Sequence, residues 1–201
     1  MHTKDCIMTK DIKQEVYRNQ NRTQKLMVLF PGMGYTCDKP LLHYAKAYGF
    51  LYGYDILCIN YGKMTFDKSK VLSSIAPAYE IAKEALNMIN LTNYEKIIFI
   101  SKSLGTVVAG QLSKEYTMDI QNIFLTPLKE TIPYMENSED VTISGDHDPM
   151  LSCDNLQLIQ EQPITSFVFP NANHSLEVEK DPVQSIDYLH QVAKIYEKIC
   201  V

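Results

Sequence analysis

The segment Ile97-Ile98-Phe99-Ile100-Ser101-Lys102-Ser103-Leu104-Gly105-Thr106-Val107-Val108-Ala109-Gly110 constrains this chain more than any other. An apolar run climbs to a serine, and small and apolar residues continue beyond it at helical spacing. The pattern reads as strand, sharp turn and helix, with Ser103 at the apex. A serine on such a turn has its hydroxyl pushed out of the sheet, and Gly105 leaves room for a close approach of helix to strand. Two roles fit this position: a presented nucleophile, or an N-cap that satisfies free helix N–H groups.

Nucleophilic serine chemistry needs a histidine base and a carboxylate to orient it, and on a strand-turn-helix scaffold these follow in the order Ser, Asp or Glu, His. Val141-Thr142-Ile143-Ser144-Gly145 reads as a short buried strand that runs into Asp146-His147-Asp148-Pro149. Ile164-Thr165-Ser166-Phe167-Val168-Phe169-Pro170 is a second, running into Asn171-Ala172-Asn173-His174-Ser175-Leu176-Glu177. Taken singly, His174 would be a solvated loop histidine; its place after Ser103 and after the acidic pair makes it a candidate base. Asp146 and Asp148 compete for the carboxylate, Asp146 being equally suited to capping the turn. The same acidic cluster with His147 offers metal-ligand types, but adjacent turn residues rarely converge on one ion, and no metal is expected. Lys102 is placed at an exposed rim, because neighbouring side chains diverge at a strand end.

Leu26-Met27-Val28-Leu29-Phe30-Pro31-Gly32-Met33-Gly34-Tyr35-Thr36 is a strand followed by a glycine loop. It begins as a Gly-x-Gly pattern, yet Cys37 stands where a dinucleotide fingerprint has its third glycine. Asp55 lies about 20 positions on, where such a site wants an acid, but opens a strand instead of closing one. No nucleotide or other cofactor is expected.

Together these residues resemble the α/β-hydrolase superfamily, most closely its small lidless members of the dienelactone-hydrolase type, over nearly the whole chain. In that family the acid lies three residues past a strand-terminal glycine and before proline, as in Gly145-x-x-Asp148-Pro149. The base sits in an Asn-His-Ser-Leu turn, as in Asn173-His174-Ser175-Leu176. The resemblance implies Ser103 as nucleophile, Asp148 as acid and His174 as base. It also implies an oxyanion hole built from the backbone N–H groups of Met33 and Leu104, with Gly34 as the fallback donor. Ser101 departs from the family pattern, standing where the elbow has its first glycine. Met33, Gly34, Tyr35, Leu104, Leu128 and Tyr134 are expected to frame the substrate pocket.

Strands alternate with helices along the chain, which predicts an α/β fold with a mainly parallel central sheet and helices on both faces. Strands are expected at 25–30, 55–60, 96–101, 122–126, 141–145 and 164–169, with an edge strand at 12–18. Helices are expected from Pro40 to Tyr48, Lys70 to Ile89, after Ser103, over 152–160 and from Pro182 to Ile199. In the second of these, Leu72, Ile75, Tyr79, Ala82, Leu86 and Ile89 form the apolar stripe, and Pro77 is expected to kink or divide it. Residues 1–201 read as one domain. Only Pro127 to Asp140 separates the strand after the elbow helix from the next, too little for a helical cap.

Composition narrows the partners. The chain has 201 residues, 45% of them hydrophobic, and a net charge of −5, with no basic run to attract nucleic acid or an anionic membrane. No apolar stretch approaches the roughly 18 residues of a membrane span and no leader is apparent, so a cytoplasmic location is expected. Cys6, Cys37, Cys58, Cys153 and Cys200 are widely spaced and odd in number, the pattern of reduced thiols; Cys37 and Cys58 are expected to pack in the interior. The expected activity is acyl transfer to water on small to medium acyl esters or thioesters, falling off as the imidazole protonates below about pH 6.5. An acyltransferase, an amidase or peptidase on the same triad, and a non-catalytic binding module of the same fold are the alternatives.

Overall fold

The computed structural model describes residues 1–63 and 70–201. Eight strands form one sheet: β1 (His2–Thr9), β2 (Ile12–Asn19), β3 (Lys25–Phe30), β4 (Asp55–Cys58), β5 (Lys96–Lys102), β6 (Ile120–Leu125), β7 (Val141–Gly145) and β8 (Thr165–Phe169). Their spatial order is β1-β2-β4-β3-β5-β6-β7-β8. From β4 onward every pairing is parallel, whereas β1 with β2 and β2 with β4 are antiparallel. A parallel sheet collects the loops that follow its strands at one edge, and that edge is where the candidate residues meet.

The helices are α1 (Pro40–Leu51), α2 (Val71–Asn87), α3 (Leu104–Glu115), α4 (Cys153–Gln160) and α5 (Pro182–Cys200). They cover both faces, as the near-continuous apolar strands require. Alternation along β5 shows how: Ile97 and Phe99 join α2 and α3 in one core, while Ile98 and Ile100 join α1 and α5 in the other. Helix starts follow their local chemistry. Pro40 and Pro182 occupy first turns, and the Asp181 carboxylate accepts from the Gln184 amide at 2.9 Å. Cys37 and Cys58 are buried in the core shared by α1 and α5.

Three features differ from the sequence reading. The edge is not residues 12–18, because β1 lies outside them. Its mostly polar sequence buries little and carries no strand alternation, so what holds it is the hairpin with β2, closed through Lys10 and Asp11, both at positive φ (46° and 63°). Pro77 does not divide α2, which runs through it; its ring lies on the exposed side while Ala78, Ile81, Ala82, Ala85 and Leu86 bury the other. Leu72 is 59% exposed and falls off that stripe, whose first buried member is Val71. Among the described residues, no helix is long and apolar enough to cross a membrane.

The segment between β6 and β7 holds only a short 3-10 helix, Lys129–Tyr134, whose Tyr134 lies against Gly110 of α3. It ends at Asp140, which is 1% exposed. One carboxylate oxygen accepts from the Asn122 amide at 2.7 Å and the other has no partner, so burial pushes the Asp140 carboxyl up to about 7. A carboxyl raised on folding costs stability once pH exceeds its unfolded value near about 4, and the cost grows until about pH 7. Asp140→Asn keeps an acceptor for Asn122 and removes the charge. The melting temperature of this variant is expected to exceed wild type by about 3 °C or more at pH 8, with the gap closing towards pH 4 in a calorimetric series.

Candidate active site

Ser103 occupies the turn between β5 and α3 with φ 54° and ψ −121°. Such backbone in a non-glycine residue stores roughly 1–3 kcal/mol, and it persists where the surroundings over-determine it. Here they do. The Ser103 amide donates to the Leu125 carbonyl at 3.1 Å, and its own carbonyl accepts from the Thr106 amide at 2.8 Å and the Thr106 hydroxyl at 2.6 Å. A Cβ on Gly105 would stand 2.5 Å from both the Phe30 and Pro31 carbonyl oxygens, which leaves glycine as the residue that lets α3 start this close to β3. Ser101 is fully buried, and its hydroxyl donates to the Ile123 carbonyl at 3.2 Å, which is how serine is accommodated where the elbow pattern has glycine.

The candidate base comes from the loop after β8. His174 Nε2 lies 2.7 Å from Ser103 Oγ, and its Nδ1 lies 2.7 Å from Asp148 Oδ2. The turn that carries it is built by Asn173, whose side-chain oxygen accepts from the Ser175 and Glu177 amides at 2.8 and 3.2 Å. Asp148 is 4% exposed, with its second oxygen accepting from the Met150 amide at 2.8 Å. Asp146 is exposed and turned elsewhere, its Oδ1 paired with His147 Nδ1 at 2.7 Å and accepting from the Asn171 amide at 2.5 Å. The loops are joined at Gly145, where a Cβ would lie 2.0 Å from the Ala172 carbonyl oxygen. Of the two acids the sequence left open, the structure brings only Asp148 to His174. The described residues hold no group of three or more metal-ligating side chains.

Lys102 is not at a rim. It is 2% exposed, and its Nζ donates to the His174 carbonyl at 2.7 Å and lies 5.1 Å from the centroid of the Tyr35 ring. Its side chain does diverge from those of Ser101 and Ser103, as expected, but divergence sends it beneath the loop that carries His174, on the face of Ile98 and Ile100. Burial pushes its ammonium down to about 7, a fall opposed by the charge of Asp148. Period-two alternation along β5 was the signal available in the sequence for this residue.

The glycine loop closes through reciprocal backbone bonds between Gly32 and Tyr35, both 3.1 Å, with Met33 and Gly34 at its corners and Gly34 at φ 72°. It presses on the elbow: a Cβ on Gly32 would sit 3.2 Å from Ser103 Cβ. Leu104 is the first residue of α3, so its amide has no acceptor within the helix. Tyr35 is fixed by the Leu41 amide, which donates to its phenol oxygen at 3.0 Å, and burial pushes that phenol up to about 12. Clefts of about 310 and 550 Å³ flank the loop and share Gly34 and Tyr35. Leu128 is 3% exposed and packs in the core with Met33 and Leu104, lining neither cleft.

No protein-family model and no curated protein matches the sequence. Solved structures do match it in shape. They include the esterase Pf2001 of Pyrococcus furiosus, at 15% identity and TM-score 0.67, covering 98% of this chain and 92% of that one. An alpha-beta serine hydrolase homologue from Coxiella burnetii matches at 13% identity and TM-score 0.69, covering 98% and 96%. Est1E from Butyrivibrio proteoclasticus matches at 10% identity and TM-score 0.70, covering 98% of each. The chain has the α/β-hydrolase fold.

In this α/β-hydrolase fold the close contact of α3 with the end of β3 sets the elbow, which makes Gly105 a sensitive position. Gly105→Ala is expected to lower the midpoint of urea unfolding by the equivalent of about 2 kcal/mol or more, since the opposing atoms are backbone and cannot rotate away.

Proposed function

We propose that this protein is a serine hydrolase that cleaves small to medium acyl esters or thioesters. The observation that carries the reading is the continuous relay Ser103 Oγ, His174 Nε2, His174 Nδ1, Asp148 Oδ2, with both links at 2.7 Å. In this reading His174 takes the Ser103 proton as Oγ attacks the acyl carbon, and Asp148 holds the imidazole in the tautomer that leaves Nε2 free to accept. The Leu104 and Met33 amides hold the oxyanion, at the positive end of the α3 dipole. His174 then passes its proton to the departing alcohol or thiol. Water, deprotonated by the same imidazole, attacks the Ser103 acyl-enzyme, and the proton returns to Ser103 as the carboxylic acid leaves.

The size of the substrate follows from the surroundings. The segment after β6 is short and packs on α3 through Tyr134, without forming a cap. This favours short acyl groups over long lipid chains.

Intact-mass analysis after treatment with a fluorophosphonate probe tests the reading directly. One adduct is expected on wild type and none on Ser103→Ala; a folded wild type that takes no adduct would overturn the reading. On a short acyl ester, Asp148→Asn is expected to lower kcat by about 10³- to 10⁴-fold through loss of the correct tautomer. Asp146→Asn, whose site faces away from His174, is expected to stay within about threefold of wild type.

A further inference from the structure

Lys102 plays no part in the hydrolytic scheme, yet its burial is costly. Lys102 is 2% exposed and its hydrogen bond among the described residues goes to a neutral carbonyl, so burial works against the charged amine. The same face of β5 is otherwise served by Ile98 and Ile100. A methionine at position 102 would fill comparable space without that cost, so the amine must contribute somewhere other than stability.

Its surroundings say where. The His174 turn is held together largely from within, by the side chain and backbone of Asn173. Lys102 reaches it from outside, from the residue that directly precedes the nucleophile. Consecutive residues of one chain segment therefore grip the base at both ends: Ser103 Oγ meets the ring at 2.7 Å and Lys102 Nζ meets the carbonyl at 2.7 Å. The titratable groups around that amine are Asp148 from the loop after β7, His174 from the loop after β8 and Tyr35 from the glycine loop, the last within the field of Glu177. As a cation this amine lies in the field of Asp148, the carboxylate that holds the imidazole.

Building on the hydrolase reading, we propose that Lys102 is a positioning residue for the base: it clamps the His174 backbone to the strand that bears Ser103 and keeps the imidazole aligned and unprotonated. Displacement of a reacting group by about 1 Å can cost about 10²-fold in rate, so one hydrogen bond to the backbone of the base is enough to matter.

The test compares wild type, Lys102→Met and Lys102→Gln in thermal melting, fluorophosphonate labelling rate, and the pH profile of p-nitrophenyl acetate hydrolysis. For Lys102→Met the melting temperature is expected to hold or rise while kcat falls by about 10- to 100-fold with KM within about twofold. Its labelling slows in parallel. The acid limb of its kcat/KM profile is expected to move to higher pH, because the cation that offsets the charge of Asp148 on the imidazole has gone. Lys102→Gln carries an N–H donor one atom nearer the backbone; it is expected to regain part of kcat and leave the acid limb displaced. It carries the test alone should the methionine variant not fold. A fall in melting temperature with an unmoved acid limb would assign Lys102 a merely structural role and overturn the proposal, as would kcat within twofold of wild type. These outcomes presuppose an adduct on wild-type Ser103; a wild type that takes none removes the hydrolase reading itself, and Lys102's role with it.

Discussion

The arrangement depends on one steric fact, the packing of the α3 start against the end of β3 with nothing between them but the hydrogens of Gly105. Because the Phe30 and Pro31 carbonyls occupy the space a side chain would need, the helix begins as soon as β5 ends. Ser103 is then forced onto a positive φ, with its hydroxyl directed out of the sheet. The same closeness brings the Gly32–Tyr35 loop against the serine. The position of Ser103 and that of the glycine loop are thus two results of one contact, and the strain at Ser103 is balanced by hydrogen bonds to its own N–H and C=O.

A second contact does for Asp148 and His174 what Gly105 does for Ser103. At Gly145 the end of β7 meets the Ala172 carbonyl, and the His147 amide donates to that same oxygen at 3.1 Å. The loops after β7 and β8 are therefore packed directly on each other. Asp148, three residues past the glycine, is carried inward to a buried position beside His174, whereas Asp146 stays at the surface with His147 and Asn171. A buried carboxylate with two well-placed donors is the stronger orienting group, since a low dielectric amplifies its hold on the imidazole. Lys102 adds a third tie, between this paired-loop unit and the strand that carries Ser103.

The sequence alone determined those parts of the molecule that rest on local patterns. Apolar runs ending in glycine, serine or proline placed β3, β5, β7 and β8; the chain order of Ser103, Asp148 and His174 and the absence of a cap were legible for the same reason. Strand β1 was not, because its residues are mostly polar and bury little, and only pairing with β2 makes them a strand. Pro77 left α2 undivided because the buried apolar face beyond it fixes the axis, a preference of packing over propensity. Tertiary structure brought Asp148, the acid its spacing from Gly145 had favoured, to His174, left Asp140 with an unpartnered buried oxygen, and buried Lys102, expected at the surface, against the His174 carbonyl. A sequence records how side chains alternate along a strand; what lies over each face is supplied by segments distant in the chain, and burial, charge and partnership are decided by that meeting.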